Sequence, residues 1–386
     1  MVVHINSLEN KFSRDYGGPL LRSCVFITVV SQMPTLIQFG VSRFLPLLWL
    51  ALALYLLKTQ SIQHEVMLIS SMLVLSLSVA ILVGLASGIE YYRSSLFFPA
   101  IICIIMMICG SLARRYFFHD DGILQAYLIA TIIVAADVYF KYLRAYNWNN
   151  LVYAYASKNS VSQILLTAII ISVYIAPSKK RALKACYFAL DILLIVELFA
   201  LRSRASIVGL PILCLIFLNS KAIDKKTKGF ISVCVLGLVC LVLLNEEMGD
   251  FIFNNILLNN RSSGNIDAIT SNRFSMVMSF PSLFSESPFL GRGPFYVENF
   301  YLVALLQFGL FFGVPIIVFS LLPLAYSLAH RLSTNKNYSI MLTLAATYSL
   351  NGLFEAQAPL GPGVKCFLLW FLLGALIGRP LIDGES

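Results

Sequence analysis

Long uninterrupted apolar runs recur along the whole of this 386-residue chain, and they constrain its fold more than any other feature. A helix of about 20 apolar residues crosses the ~30 Å hydrocarbon core of a bilayer. Charged residues make up only 12% of the chain, whereas soluble domains carry about a quarter. Because each run is continuous and does not alternate, the spans are predicted to be helices and not barrel strands. The expected fold class is an all-α integral membrane protein.

The runs predict a polytopic bundle of about 12 transmembrane helices that forms a single membrane domain over residues 1–386. No small-residue cleavage site follows the first run, which is therefore expected to be retained as a span. The two longest non-apolar segments, about 141–160 and 246–298, are the predicted external loops, and the second is large. The predicted spans lie near residues 21–38, 44–57, 65–87, 95–111, 122–140, 161–177, 185–201, 205–218, 229–245, 299–320, 339–353 and 364–378.

The basic residues predict the orientation, since short cytoplasmic loops are enriched in lysine and arginine. Two short loops are densely basic, and both are predicted to be cytoplasmic: Lys179, Lys180, Arg181 and Lys184, then Lys221, Lys225, Lys226 and Lys228. Both termini then also lie in the cytoplasm, which requires an even number of spans. All four histidines fall on the cytoplasmic side in this arrangement: His4, His64, His119 and His330.

The opposite face is predicted to be rich in arginine. Its members include the closely spaced Arg202 and Arg204 and the more distant Arg144, Arg273 and Arg292. Arginine binds phosphate through bidentate, charge-assisted hydrogen bonds, so the pattern favours an anionic group such as a lipid-linked diphosphate. The alternative is that some of these side chains extend to lipid phosphates. Glu197 precedes Arg204 by two helical turns and is expected to pair with it if the helix continues that far.

Two segments carry a family resemblance. "LRSRASIVGLPIL" (201–213) and "SNRFSMVMSFPSLFSESPFLGRGPFYVENFYLVALLQFGLFFG" (271–313) resemble the two signatures of the O-antigen polymerase/ligase superfamily. In that family an arginine opens a surface helix, a Pro-x-x-Gly-x-Gly turn follows, and a His-Asn-x-(Tyr/Phe)-Leu stretch begins the next span. The matching positions are Arg273, then Pro288, Gly291 and Gly293, then Asn299 and Tyr301, and finally Gly309, Leu310 and Gly313.

One position departs from the pattern and decides between two activities of the family. Glu298 stands where ligases of the family carry histidine. Because no histidine is predicted on the external face, the chain resembles a Wzy-type O-antigen polymerase more than a ligase. The resemblance then implies a glycosyltransferase in the bacterial inner membrane, with its active site facing the periplasm. It would polymerise oligosaccharide repeat units linked to undecaprenyl diphosphate.

The resemblance implies further expectations about partners and cofactors. A diphosphate leaving group makes a nucleotide cofactor unnecessary, and the sequence shows no metal motif. A chain-length regulator protein is an expected partner besides the bilayer and the lipid-linked glycan, and nothing points to nucleic acid. The eight cysteines are expected to behave as small buried hydrophobes.

The candidate residues take three roles. Glu298, Arg273 and Arg204 are the expected catalytic residues, and Arg202, Arg292 and Arg144 are expected to bind the diphosphate. The secondary candidates are Glu355, Asn299 and Tyr301. For Glu298 a second interpretation stays open, in which the carboxylate complements the positive end of a helix. The frame of glycines and prolines around Arg292 is also compatible with an ordinary loop that leads into a helix.

Two other functions compete with polymerisation. An O-antigen ligase belongs to the same superfamily, and a lipid-linked oligosaccharide flippase is a transporter with a similar number of spans. The absence of an internal repeat and the one large external loop favour an enzyme over a transporter.

Overall fold

The computed structural model describes residues 16–119, 121–143, 158–250, 254, 267, 273–333, 335–361 and 366–378. Within these residues the chain consists of helices and their connections, and it contains no β-strand. The described helices of ten or more residues are numbered in chain order: α1 Gly17–Val30, α2 Leu45–Leu56, α3 His64–Ser87, α4 Phe97–Leu112, α5 Gly122–Val138, α6 Lys158–Ile175, α7 Arg181–Ala200, α8 Arg204–Asn219, α9 Lys225–Leu244, α10 Arg273–Ser285, α11 Phe300–Ala329, α12 Lys336–Asn351 and α13 Phe367–Leu376.

The helices follow the predicted apolar runs. One helix covers the centre of each run, and α10 is an additional helix inside the large predicted loop. Four described helical segments are long and apolar enough to cross a membrane by themselves: His64–Ser87, Gly122–Lys141, Asn159–Ser178 and Phe300–Ala329. Five apolar helices among the described residues are shorter. The all-helical membrane fold is therefore confirmed, and the count of 12 spans stays a prediction.

The centre of the bundle is formed by α6 and α13. Nearly every residue of α6 is buried, and all ten residues of α13 are buried. Gly110 of α4 and Gly374 of α13 allow close helix packing, because a Cβ atom at Gly374 would lie 1.8 Å from the Met107 carbonyl oxygen. Small residues allow membrane helices to approach in this way. In contrast, most of α3 is exposed although it is apolar, as expected of a helix that faces lipid.

One end of the bundle gathers the basic loops that were predicted to be cytoplasmic, and we call it the lysine end. Here Asp121 forms ion pairs with Lys179 at 3.3 Å and with Lys336. Lys184 lies 3.4 Å from a carboxylate oxygen of Asp224. Residues from four predicted loops therefore meet at the same end.

The opposite end holds Arg202, Arg273 and Arg292, and we call it the arginine end. Its loops are connected by backbone and side-chain contacts. The Phe300 N–H donates to the Gly352 carbonyl at 2.7 Å, which joins the start of α11 to the end of α12. A Cβ atom at Gly293 would lie 3.0 Å from Ile89, which follows α3. These contacts join three of the loops at the arginine end.

Candidate active site

Helix α11 is broken at Gly309, about 14 Å from its first residue. Gly309 has φ 63° and ψ −167°, a conformation that is almost exclusive to glycine. The break exposes backbone groups that a regular helix would satisfy internally. Inside a membrane protein such groups need partners from another segment.

The Pro-Phe-Leu-Gly-Arg-Gly-Pro turn supplies those partners. The N–H groups of Arg292 and Gly293 donate to the carbonyls of Leu306 and Gln307 at 2.8 and 3.0 Å. In the other direction, the N–H groups of Leu310 and Phe311 donate to the carbonyls of Pro288 and Phe289 at 2.8 and 3.1 Å, respectively. The turn therefore completes the hydrogen bonding of the broken helix.

The glycines of the turn are required by this close approach. A Cβ atom at Gly291 would lie 2.5 Å from the Gly309 nitrogen, and one at Gly309 would lie 2.3 Å from the Phe289 carbonyl oxygen. Gly291 and Gly293 also have φ values of 74° and 77°, which glycine adopts at little cost. The turn is more than an ordinary entry loop, because it docks against the middle of a helix.

Arg292 projects from this docked turn. Its Nη2 atom lies 2.6 Å from Oε2 of Glu286, whose side chain is 66% exposed. The Arg292 side chain itself is 23% exposed. The guanidinium is thus held at the protein surface by a carboxylate that solvent or a ligand can reach.

Arg273 and Glu298 form a second ion pair of the same length. Nη2 of Arg273, the first residue of α10, lies 2.6 Å from Oε2 of Glu298. Glu298 precedes Asn299, the N-cap residue of α11, so it lies outside the first helical turn. Glu298 therefore lies just before the helix and pairs with an arginine from another helix, and the interpretation that it complements the positive end of α11 stays open.

Tyr296 lies among the charges of this pair and of Glu355. Partial burial raises the pKa of Tyr296, the nearby Glu298 and Glu355 carboxylates raise it further, and Arg273 lowers it. Both predicted carboxylates and Arg273 are therefore close enough to Tyr296 to act on it electrostatically. Tyr296 lies two residues before Glu298 and was not among the predicted site residues.

A chain of hydrogen bonds leads from Glu355 to the Ser-Arg turn between α7 and α8. The Asn159 Nδ2 donates to Glu355 Oε1 at 2.6 Å, and the Ser203 hydroxyl donates to Asn159 Oδ1 at 3.3 Å. The hydroxyl oxygens of Ser203 and Ser206 also lie 3.2 Å apart, within hydrogen-bond distance. These contacts join the first sequence signature to Asn159 and Glu355, which lie outside both signatures.

Arg202 has an unusual backbone in this turn. Its φ is 50°, the only positive value at a non-glycine residue of the described chain, and the residue is 3% exposed. A left-handed conformation costs a residue with a side chain about 1–2 kcal/mol. Strain of this kind is concentrated at functional sites. Arg204 begins α8 two residues later and is partly buried.

Asn299 and Tyr301 have structural partners. The Asn299 side chain accepts from the Leu302 N–H at 3.0 Å, which caps α11, and donates to the Leu353 carbonyl at 3.2 Å. The Tyr301 hydroxyl donates to the Ser349 carbonyl at 2.9 Å. Both side chains therefore fasten α11 to α12 and position the segment that carries Glu298.

Two predictions about the arginines are not confirmed: the pairing of Arg204 with Glu197, and the role of Arg144. Helix α7 ends at Ala200 and α8 begins at Arg204, so the continuous helix required to pair Glu197 with Arg204 does not exist. Glu197 instead lines an apolar cavity of about 500 Å³ between α5 and α7. Arg144 lies outside the described residues.

The comparison with known families bears directly on this site. Residues 188–317 match the family described as O-antigen ligase. This match supports membership of the chain in the O-antigen polymerase/ligase superfamily. Among curated proteins no sequence gives a significant match.

The match to this superfamily covers about a third of the chain, from the middle of α7 to the broken part of α11. It contains Arg202, Arg204, Arg273, Arg292 and Glu298. Glu355 and Asn159 lie outside it and reach the site only through the fold. The family is one of membrane enzymes that act on O-antigen.

Proposed function

We propose that this superfamily member is a polymerase that joins oligosaccharide repeat units carried on undecaprenyl diphosphate. The observation that carries the proposal is the cluster of Arg273, Glu298, Glu355 and Tyr296 at the arginine end. The cluster combines carboxylates with a cation at an accessible surface. Glycosyl transfer from a diphosphate needs both kinds of group, one for the acceptor hydroxyl and one for the leaving group.

The arginines bind the diphosphate in this proposal. Arg202 and Arg204 occupy the turn that contacts the site through Ser203, while Arg292 is held at the surface by Glu286. Guanidinium groups stabilise the negative charge that grows on a departing diphosphate. Arg273 completes the set beside the carboxylates.

The reaction exchanges a glycosyl phosphate bond for a glycosidic bond. An acceptor sugar hydroxyl oxygen attacks the anomeric carbon of the donor glycan, and the bond from that carbon to the diphosphate oxygen breaks. The hydroxyl proton passes to a carboxylate, and undecaprenyl diphosphate leaves with its negative charge. Glu298 is the first candidate for the proton acceptor and Glu355 the second, because both lie close to Tyr296.

The histidines favour a polymerase over a ligase. His64 and His330 lie at the lysine end, as does the backbone of His119, and His4 lies outside the described residues. Among the described residues the arginine end therefore carries no histidine at the position that a ligase of this superfamily would use. Glu298 occupies that position.

The proposed orientation of the enzyme in the membrane follows from the distribution of its basic loops. The lysine end faces the cytoplasm and the arginine end faces the periplasm of the bacterial inner membrane, because basic loops are retained on the cytoplasmic side. Lipid-linked repeat units then reach the site from the outer leaflet. A chain-length regulator is a proposed partner on the same side.

Deletion of the gene in its source strain, followed by gel separation of surface glycans, tests the function. Collapse of a ladder to a core that bears one repeat unit is the expected result. Loss of even that band, with polymer accumulating on the carrier, identifies a ligase and contradicts polymerisation. Single repeats trapped on the cytoplasmic leaflet identify a flippase. Complementation with Glu298→Gln and Glu90→Gln separates the site from the rest of the arginine end.

A further inference from the structure

A polar cavity of about 500 Å³ lies at the lysine end, far from the proposed active site. It is lined by residues of α1, α5 and α12 and by the loop that precedes α7. Arg22, Lys179 and Lys336 contribute three positive charges, and Asp121 contributes one negative charge. The cavity therefore keeps an excess of positive charge.

Two helix N-termini open onto the same cavity. Gly122 is the first residue of α5, and Lys336 is the first residue of α12. Helix N-termini present unpaired N–H groups and a positive partial charge, and they favour anions. The N-cap residue of α5, Asp121, makes no side-chain capping hydrogen bond with that helix.

The pKa of Asp121 shows that the cavity stabilises a negative charge. Burial by itself would raise the pKa of Asp121, but hydrogen bonds and attraction from Lys336 and Lys179 outweigh it, so the pKa is lowered. One carboxylate is shared by two lysines. The lysines therefore retain donor capacity for a second anion, because each ammonium group has three N–H donors.

Asn337 contributes a hydrogen-bond acceptor, whereas the lysines contribute donors. The residue is 7% exposed and lines the cavity, and its Oδ1 atom has no hydrogen-bond partner. A buried acceptor without a partner costs free energy until a donor reaches it. The phosphodiester of a lipid has no O–H group and cannot supply that donor, whereas a hydroxyl group can.

We propose that this cavity binds the phosphoglycerol head group of an acidic membrane lipid. The phosphate occupies the space among Arg22, Lys179 and Lys336, and the glycerol hydroxyls donate to Asn337 Oδ1 and Asp121. The cavity lies at the end of membrane-spanning helices, so a lipid head group reaches it from the bilayer while the acyl chains stay in the membrane. Basic pockets between helix ends bind acidic lipids by the same physical principle.

The first experiment uses the wild-type full-length chain in nanodiscs of phosphatidylcholine with a small fraction of phosphatidylglycerol. Native mass spectrometry after release measures the lipid that stays bound. Phosphatidylglycerol is expected to remain bound at about one molecule per chain, and phosphatidylcholine is expected to be lost. Equal retention of both lipids overturns the proposal. Displacement of the lipid by inorganic phosphate or glycerol 3-phosphate at comparable concentrations assigns the site to a free anion and overturns the lipid assignment.

The second experiment compares two variants that change the charge of the same end. The double variant Lys179→Gln/Lys336→Gln removes two cations from the cavity. Each of the two substitutions is expected to weaken phosphatidylglycerol binding about five-fold. Lys184→Gln is the matched control, because Lys184 pairs with Asp224 outside the cavity. Equal retention by both variants contradicts the proposal. The wild-type lipid comparison stands even if the double variant folds poorly.

Discussion

Nη2 of Arg273 lies 2.6 Å from Oε2 of Glu298, which joins the first residue of α10 to the segment that enters α11. The two side chains are 23% and 40% exposed. An ion pair at such a surface contributes at most about 1 kcal/mol to stability. Its importance is geometric, since it holds a guanidinium and a carboxylate together where a substrate can reach both.

This relationship predicts that Glu298→Gln separates activity from stability. The substitution keeps the size of the side chain but removes a proton acceptor, so the polymerisation rate is expected to fall about 10²–10⁴-fold. The free energy of unfolding should change by less than about 1 kcal/mol. Glycan ladders and thermal unfolding of purified protein measure the two effects.

The control for Glu298 is Glu90→Gln at the same end of the molecule. Glu90 also forms an ion pair with an arginine, Arg93, at 2.7 Å, with both side chains more exposed. It should leave the ladder unchanged. If both variants lose activity equally, the Glu298 pair has no special role and the site lies elsewhere.

The positive φ of Arg202 predicts a difference between two substitutions that remove the same side chain. Arg202→Gly removes the backbone strain, whereas Arg202→Ala retains it, so the glycine variant should be the more stable by about 1–2 kcal/mol. Both should lose activity if the guanidinium binds diphosphate. Thermal unfolding and complementation test this pair. An active glycine variant would show that Arg202 serves only the structure.

The broken helix predicts that Gly309→Ala is strongly destabilising. Gly309 has a conformation almost exclusive to glycine, and an added Cβ would lie 2.3 Å from the Phe289 carbonyl oxygen. The strain alone costs about 1–3 kcal/mol. We expect a lower midpoint of thermal unfolding and less folded protein in fluorescence-detected size-exclusion chromatography.

Gly229→Ala is the matched control for Gly309. Gly229 lies in α9, and a Cβ there would meet nothing within 4 Å. Alanine has the higher helix propensity, so this variant should be as stable as the wild type or more so. If the two variants behave alike, the docked turn does not stabilise the break in α11.

Asp121 predicts a pH-dependent contribution to stability at the lysine end. Its pKa is lowered in the folded protein, so its contribution is present above the unfolded value of about 3.9 and is lost as the pH falls through the lower folded value. Asp121→Asn should therefore cost about 1–3 kcal/mol near neutral pH. The difference from the wild type should shrink as the pH is lowered below about 4.

Thermal unfolding of Asp121→Asn and wild type across this pH range measures the effect. Asp224→Asn is the comparison, because its lysine partner is at the same end and Asp224 is 40% exposed. It should cost less than Asp121→Asn. A stability difference for Asp121→Asn that persists unchanged at low pH would show that the ion pairs with Lys179 and Lys336 are not its source.

The sequence predicted the helices well because membrane spans are written as continuous apolar runs. It also predicted that arginines such as Arg202, Arg273 and Arg292 would lie at one end, because successive loops lie on alternate sides of the membrane. Two contacts were not predictable: the docking of the Arg292 turn against Gly309, and the hydrogen bond between Asn159 and Glu355. Both contacts join segments distant in sequence, and no periodic pattern encodes them.

Residues near the site were missed for the same reason. Ser203 lies within the first signature and Tyr296 within the second, but neither residue type marks a functional position by itself. Their relation to the site is visible only in the folded structure. The condition for pairing Glu197 with Arg204, a continuous helix, is not met because a short turn interrupts the helix at residues 201–203. A positive φ at an arginine, which ends that helix, has no sequence signal of its own.

The most direct test of the central claim is polymerisation by the purified protein in liposomes. The only glycan supplied is a single repeat unit on undecaprenyl diphosphate, and products are separated by size after incubation. For a polymerase we expect lipid-linked chains of two and more repeats, release of undecaprenyl diphosphate, and no chain growth with Glu298→Gln. Glycan transfer that occurs only when a lipid A acceptor is added would contradict it, as would movement of the repeat unit across the bilayer without a new glycosidic bond.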